Sequence, residues 1–177
     1  MKMRGICHVF ATALFTASAV LPKSAGAQDL LSGHIGVATP IVTFTGSNGT
    51  SNTTTIGNNF NILFPFGIGV QPQSSPVVFD FEFDPTINPS TRTDTLTVQP
   101  GVILPLQYGW AVGMRAAFDI NQNSVGFTPL VHKNFPLFPG SRFSWFLEGD
   151  VPVRFLRLSN GADATSVGFI LHTGLAF

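Results

Sequence analysis

The sequence predicts an all-β fold: an eight-stranded antiparallel up-and-down transmembrane β-barrel. Three observations carry the prediction. Only 10% of the 177 residues are charged, while 44% are hydrophobic and 18 are phenylalanine; a water-soluble domain carries about 25% charge. Apolar residues recur with period two along most of the chain, the spacing of strands that keep one apolar face. The faces between them hold mostly Gly, Ala, Asn, Thr and Ser, too few charges to coat a surface in water.

The same composition removes several classes of function. The apolar content excludes intrinsic disorder. No basic patch exists that could release counterions from a phosphate backbone, so nucleic acid is not an expected partner. No run of 18 apolar residues lies beyond the N-terminal segment, which excludes membrane-spanning helices.

The chain reads as two units, a signal peptide at 1–27 and a barrel at 28–177. Lys2 and Arg4 give a positive start, Ile6 to Leu21 a mostly apolar stretch, and Ala25-Gly26-Ala27 small residues for cleavage. Cleavage after Ala27 takes 27 of the 177 residues and leaves 150, beginning at Gln28. Cys7, the single cysteine, leaves with the signal, so a disulfide scaffold is excluded.

Eight strands follow in order. The first is weak, with Ile35, Val37 and Ile41 against His34, Gly36 and Ala38. The second is the clearest: Phe60, Ile62, Phe64, Phe66, Ile68 and Val70 share a face, and Asn59, Asn61, Leu63, Pro65, Gly67 and Gly69 the other. Such a stripe spans about 11 residues, enough for a tilted strand to cross a bilayer. The third sets Val77, Phe79, Phe81 and Phe83 against Asp80 and Glu82, and the fourth sets Leu96, Val98, Val102 and Leu104 against Thr95, Thr97, Gln99 and Gly101. The fifth opposes Trp110, Val112, Met114, Ala116, Phe118 and Ile120 to Ala111, Gly113, Arg115, Ala117 and Asp119. The sixth has Val125, Phe127 and Val131 against Gly126, Thr128 and His132. The seventh has Phe143, Trp145, Leu147, Val151, Val153 and Phe155 against Ser144, Glu148, Asp150 and Arg154. The eighth has Val167, Phe169, Leu171, Leu175 and Phe177 against Gly168, His172 and Gly174. Polar loops at 45–57, 84–94, 121–124 and 158–165 alternate with tight turns at 71–75, 106–109 and 136–141, the rhythm of long outer loops and short inner turns. Aromatic residues gather at strand ends, as girdles at the two membrane interfaces would require.

The polar faces decide which side is inside. A lipocalin-like soluble barrel would turn its aromatics inward and coat its outside with charge, but the barrel segment holds one lysine, Lys133, in phase with an apolar stripe near a strand end. An eight-stranded barrel has room inside only for side chains, and small residues with a few long charged groups fill it. Asp80, Glu82, Asp119, Glu148 and Asp150 share that interior with Arg115 and Arg154. Because an unpaired buried charge is costly, these predict an internal salt-bridge cluster centred on the two arginines. Arg142 and Arg157 fall near strand ends, at the interface.

The C-terminal run from Phe169 to Phe177 ends on phenylalanine, with Phe169, Leu171 and Leu175 at alternate positions before it and His172 where the stricter pattern has glycine. This resembles the terminal insertion signal of bacterial outer-membrane barrels. Signal peptide, lack of cysteine, length and strand count together resemble the small barrels of the outer membrane protein A and X type. The resemblance implies a bacterial outer-membrane location, a lipid and lipopolysaccharide surround, and dealings with periplasmic chaperones and the barrel-insertion machinery, with Phe169, Leu171, Leu175 and Phe177 as the signal.

No cofactor, metal or catalytic residue is expected. Ser144, His132 and Asp150 fall on inward faces and could form a triad only if neighbouring strands brought them together. His34, His132 and His172 also face inward, and strands one and eight must meet, so His34 and His172 are expected to approach. Asn48-Gly49-Thr50 and Asn52-Thr53-Thr54 read as turn formers in a surface loop. The expected role is structural or surface-interactive, as a monomer; a small channel for ions or narrow apolar solutes and a lipid A-modifying enzyme are the alternatives.

Overall fold

The computed structural model describes residues 31–177 apart from 74, 90–92, 121 and 159–160, and the backbone alone of 93 and 94. The predicted signal segment lies outside the described residues. The strands are β1 (Leu31–Ser47), β2 (Thr50–Thr55), β3 (Ile62–Leu63), β4 (Phe66–Val70), β5 (Val78–Asn88), β6 (Thr93–Pro105), β7 (Trp110–Asp119), β8 (Ser124–Pro136), β9 (Ser144–Asp150), β10 (Val153–Arg157) and β11 (Asp163–Ala176). β2, β3 and β4 are successive lengths of one wall strand, and β9 and β10 of another, so the wall has eight strands. All neighbours are antiparallel. β11 returns to pair with β1 from His34↔Ala176 to Ser47↔Ala164, and the sheet has closed on itself.

The predicted faces sort cleanly. Phe66, Ile68, Phe79, Val102, Met114, Val131, Trp145 and Phe169 all stand exposed on the outer surface, with Ile68 at 59% and Phe79 at 55%. Phe169, Leu171, Leu175 and Phe177 share that outer face on the closing strand. Inward positions alternate with them and hold the buried Asp80, Glu82, Gln99, Arg115, Thr128, Glu148 and His172.

Four features depart from the sequence reading. First, β1 changes phase. Register slips between Pro40 and Val42, so Ile41 sits in a bulge and Val42 and Phe44 take over the outer face, opposite Phe169 and Val167. Second, the predicted loop at 84–94 is mostly strand. β5 runs to Asn88, and Asp84 pairs in register with Thr97 and is buried inside. Third, the loop at 45–57 is a projecting hairpin of β1 and β2, turned at Asn48 and Gly49, both at positive φ, where Asn and Gly are the residues that tolerate the left-handed region. Fourth, the predicted second and seventh strands are interrupted at Pro65 and Pro152. Proline cannot donate to a ladder, yet its carbonyl still serves: Gly36 N–H donates to Pro65 O and Gly168 N–H to Pro152 O, each at 2.9 Å.

The seam between β1 and β11 is tight. Gly36 and Gly174 are paired across it, and a Cβ on Gly174 would stand 2.2 Å from the Ile35 carbonyl oxygen. Backbone cannot give way there without breaking the ladder that closes the barrel. Gly174→Ala is therefore expected to lower stability by about 1–3 kcal/mol, read as the urea midpoint of protein folded in lipid vesicles. Gly46→Ala, whose Cβ would have its nearest neighbour at 4.0 Å, is expected to leave that midpoint in place.

Candidate functional site

The interior is organised around one side chain. Arg115 projects from the middle of β7 and is 1% exposed. Its Nε donates to Asp80 Oδ2 at 2.6 Å and its Nη1 to Glu148 Oε1 at 2.8 Å. Nη1 also lies 3.1 Å from Glu82 Oε1 and 4.0 Å from Asp150 Oδ1. These carboxylates come from β5 and β9, so one guanidinium ties strands on different sides of the barrel. A planar cation with five donors suits this role better than a lysine's point charge.

Three histidines complete the waist. His34 Nε2 lies 2.7 Å from Glu82 Oε2, His132 Nδ1 2.9 Å from Glu148 Oε2, and His172 Nδ1 3.4 Å from Glu148 Oε1. Phe146, fully buried, packs among them: stacked on His132 at 5.0 Å between ring centroids, and edge-on to His172 at 4.8 Å. The rings of His34 and His172 are 6.1 Å apart. Phenylalanine in this chain generally marks the outer face, and Phe146 was legible as an interior residue only from its phase with Glu148.

Arg154 belongs to a separate tier nearer the loops. Its Nε is 4.0 Å from Asp119 Oδ2, and its Nη1 donates to Thr128 Oγ1 at 3.1 Å. The single cluster expected around both arginines is thus two. The predicted carboxylates divide accordingly, Asp80, Glu82, Glu148 and Asp150 with Arg115, and Asp119 with Arg154. The register along each strand is readable from the sequence; the stagger across the lumen, which decides who meets whom, is not. Gln99 links the tiers: Thr128 Oγ1 donates to its Oε1 at 2.7 Å, and its Nε2 donates to Asp84. Arg157 lies outside, exposed and paired with Asp163 at 3.1 Å; Arg142 is exposed too.

Two further constellations resolve differently. Ser144 Oγ donates to Asn134 Oδ1 at 3.0 Å while His132 is turned to Glu148, so the structure does not join Ser144, His132 and Asp150 into a triad. Oxygens of Glu82 and Glu148 and a His172 nitrogen lie within 4.8 Å of one another, a spacing that a metal ion could bridge. Arg115 Nη1 sits against both carboxylates, and the positive charge they require is already supplied.

Above and below the waist the barrel is hollow, a correction to the expectation of an interior filled throughout. A cavity of about 300 Å³ on the loop side is bordered by Asp84, Gln99, Thr128, Asp150 and Arg154. One of about 220 Å³ on the turn side is bordered by Ser32, His34, Asp80, His132 and Asn134. Arg115, Glu82, Glu148, Phe146 and His172 separate them.

Charge and hydrogen-bonding capacity are therefore enclosed, and the outward face is a continuous belt of Phe, Val, Leu, Ile, Met and Trp. The wall is inverted relative to a barrel built for water. This is a transmembrane β-barrel.

No protein-family model matches the chain, and no curated protein matches its sequence. Among solved structures, the barrel is similar to the crystal structure of Neisserial surface protein A (13% identity, 80% of this chain and 95% of that chain covered, TM-score 0.46). It is similar also to the solid-state NMR structure of outer membrane protein AlkL in DMPC lipid bilayers (13% identity, 89% and 93% covered, TM-score 0.48). Around the barrel's turn-side rim, Lys133 is the cation of the outer belt. It donates to the Tyr108 carbonyl and lies 5.2 Å from the Trp110 ring and 5.6 Å from that of Phe135. That arrangement keeps its charge at the edge of the apolar zone, where a long stem can reach the interface.

Proposed function

We propose that the protein is a bacterial outer-membrane barrel with a structural and surface-interactive role, closed to diffusion and without an enzymatic site. The observation that supports this is the waist. Arg115, buried and held by carboxylates from two sides of the wall, blocks the lumen where the two cavities would otherwise join. Moving it would leave several buried carboxylates unpaired, a cost that disfavours spontaneous opening. In this reading the chain ends and tight turns face the periplasm, and the β1–β2 hairpin projects outside as the surface available for contact. Lipopolysaccharide and lipid surround the apolar belt. The barrel-insertion machinery and periplasmic chaperones handle the chain before it folds, with Phe169, Leu171, Leu175 and Phe177 as the insertion signal.

A second reading, a narrow channel, draws support from the two cavities, which only one layer of side chains separates. Single-channel recording across a planar bilayer distinguishes the two. The closed barrel is expected to give no steady conductance at neutral pH, and Arg115→Ala brief openings at most. Steady, reproducible steps from the unaltered protein would overturn the closed reading in favour of the channel. Mass analysis of lipopolysaccharide incubated with the protein is expected to show unchanged lipid A.

A further inference from the structure

The turn-side end of the barrel carries residues that suit neither bulk water nor hydrocarbon. Tyr108, at the tip of the β6–β7 turn, is 85% exposed, and Phe138, in the β8–β9 turn, is 68% exposed. Tyr108 also stands in the left-handed region, at φ 59° and ψ 28°, where a residue with a Cβ is disfavoured and Asn or Gly is the usual choice. A headgroup layer accounts for exposed rings at both tips, because amphipathic aromatics gather at that depth. The loop-side strand β2, by contrast, is made only of Thr, Ser and Asn.

Charge at the turn-side end has one sign. Lys133 and Arg142 are its cations, and no carboxylate side chain accompanies them among the described residues. Asp80, Glu82, Asp84, Asp119, Glu148 and Asp150 are inside, and Asp163 is on the loop-side rim with Arg157. Arg142 is exposed, and its guanidinium has no partner among the described residues. Lys133 spends one of its three N–H donors on the Tyr108 carbonyl and keeps two. Its contacts with the Trp110 and Phe135 rings hold the ammonium at the outer face. The pairings Trp110↔Lys133 and Phe135↔Trp145 place the chain's two tryptophans on the strands that flank it.

We propose that the turn-side rim around Lys133 and Arg142 is a binding surface for anionic phospholipid. The ammonium and the guanidinium each receive phosphate oxygens, and the Trp110 and Trp145 rings lie against the upper acyl chains. Phosphatidylcholine offers the same phosphate but cancels its charge with its own quaternary ammonium, so the net charge of the lipid discriminates. The inference rests on the transmembrane placement of the wall and not on whether the lumen is closed. In the orientation proposed above, the surface meets the periplasmic leaflet.

The two tryptophans report on this rim directly. The full barrel is folded into vesicles of equal parts phosphatidylglycerol and phosphatidylcholine, with the acyl chains of one lipid or the other brominated. Tryptophan quenching then counts each lipid beside the rim in bilayers of identical charge. Phosphatidylglycerol is expected to be enriched about threefold over its bulk share at low ionic strength, and the enrichment to fall toward one in 0.5 M salt, on the order of a 4 Å screening length. Lys133→Gln and Arg142→Gln are each expected to reduce the enrichment and together to abolish it. Lys133→Arg is expected to keep it, as is Arg157→Gln on the loop-side rim. A heat-dependent shift on a detergent gel shows that each variant is folded. Should Lys133→Gln fail to fold, Arg142→Gln, in an exposed turn, and the salt titration of the unaltered barrel still decide. Equal quenching by the two brominated lipids, enrichment that survives high salt, or enrichment unchanged by the substitutions would overturn the proposal. Quenching is read without current, so its failure leaves the closed-barrel reading standing, and steady conductance leaves the lipid surface standing.

Discussion

Arg115→Met is expected to destabilise the folded barrel by about 3–5 kcal/mol, the range for removing one partner from a buried ion pair. Methionine fills much of the volume, so the loss is chiefly electrostatic. Asp80, Glu82 and Glu148 would face one another within the waist without the cation that now lies 2.6–3.1 Å from each. Urea-dependent unfolding in lipid vesicles, followed by tryptophan fluorescence, gives the measurement. Adding Glu148→Gln to the variant is expected to restore part of the loss, since it removes a repelling charge while keeping the shape. A loss under about 1 kcal/mol, comparable to a solvent-exposed pair, would mean that water screens the waist.

Met114→Arg is expected to cost about 2–4 kcal/mol, the range for arginine on the lipid face near the bilayer midplane. Met114 is the residue immediately before Arg115 and stands on the outer surface midway along β7. The two adjacent positions thus make opposite demands on the same side chain, one requiring a guanidinium and the other rejecting it. The same unfolding assay reads the effect, and Asp163→Arg on the exposed rim is expected to be near neutral. If Met114→Arg unfolded at the unaltered midpoint, the outer belt would not be in contact with hydrocarbon.

The period-two pattern made the wall legible because it reports one physical fact, which side of a pleated strand each residue occupies. It identified the outer stripes and inner charges on β4 to β9 and β11. It failed where geometry rather than residue type sets the phase. At Ile41 a bulge inserts an extra residue, and nothing in the apolar character of Ile41 announces that. Asp84-Pro85 and Asn88-Pro89 have the residue types of turns, yet β5 runs through the first pair to Asn88 and carries Asp84 inside. Phe146 resembles every lipid-facing phenylalanine in composition and differs only in parity. The division of the charges into two tiers depends on the stagger between strands across the lumen. A single sequence carries no record of that stagger, because each strand's pattern is unchanged when its neighbour slides by two residues.

The seam of thirteen residue pairs between β1 and β11 is the longest run of pairing in the wall, and it joins the two strands furthest apart along the chain. Its consequence concerns time. Contacts of such sequence separation form late and slowly, because the intervening loop must first be closed at a cost in entropy. Hairpins such as β5–β6 can zip locally, yet every partly assembled curl still exposes two raw edges and an unprotected arginine. The chain therefore has no stable half-finished form in water. The wall becomes rigid only when its first and last strands meet, and until then every intermediate carries an open sheet edge.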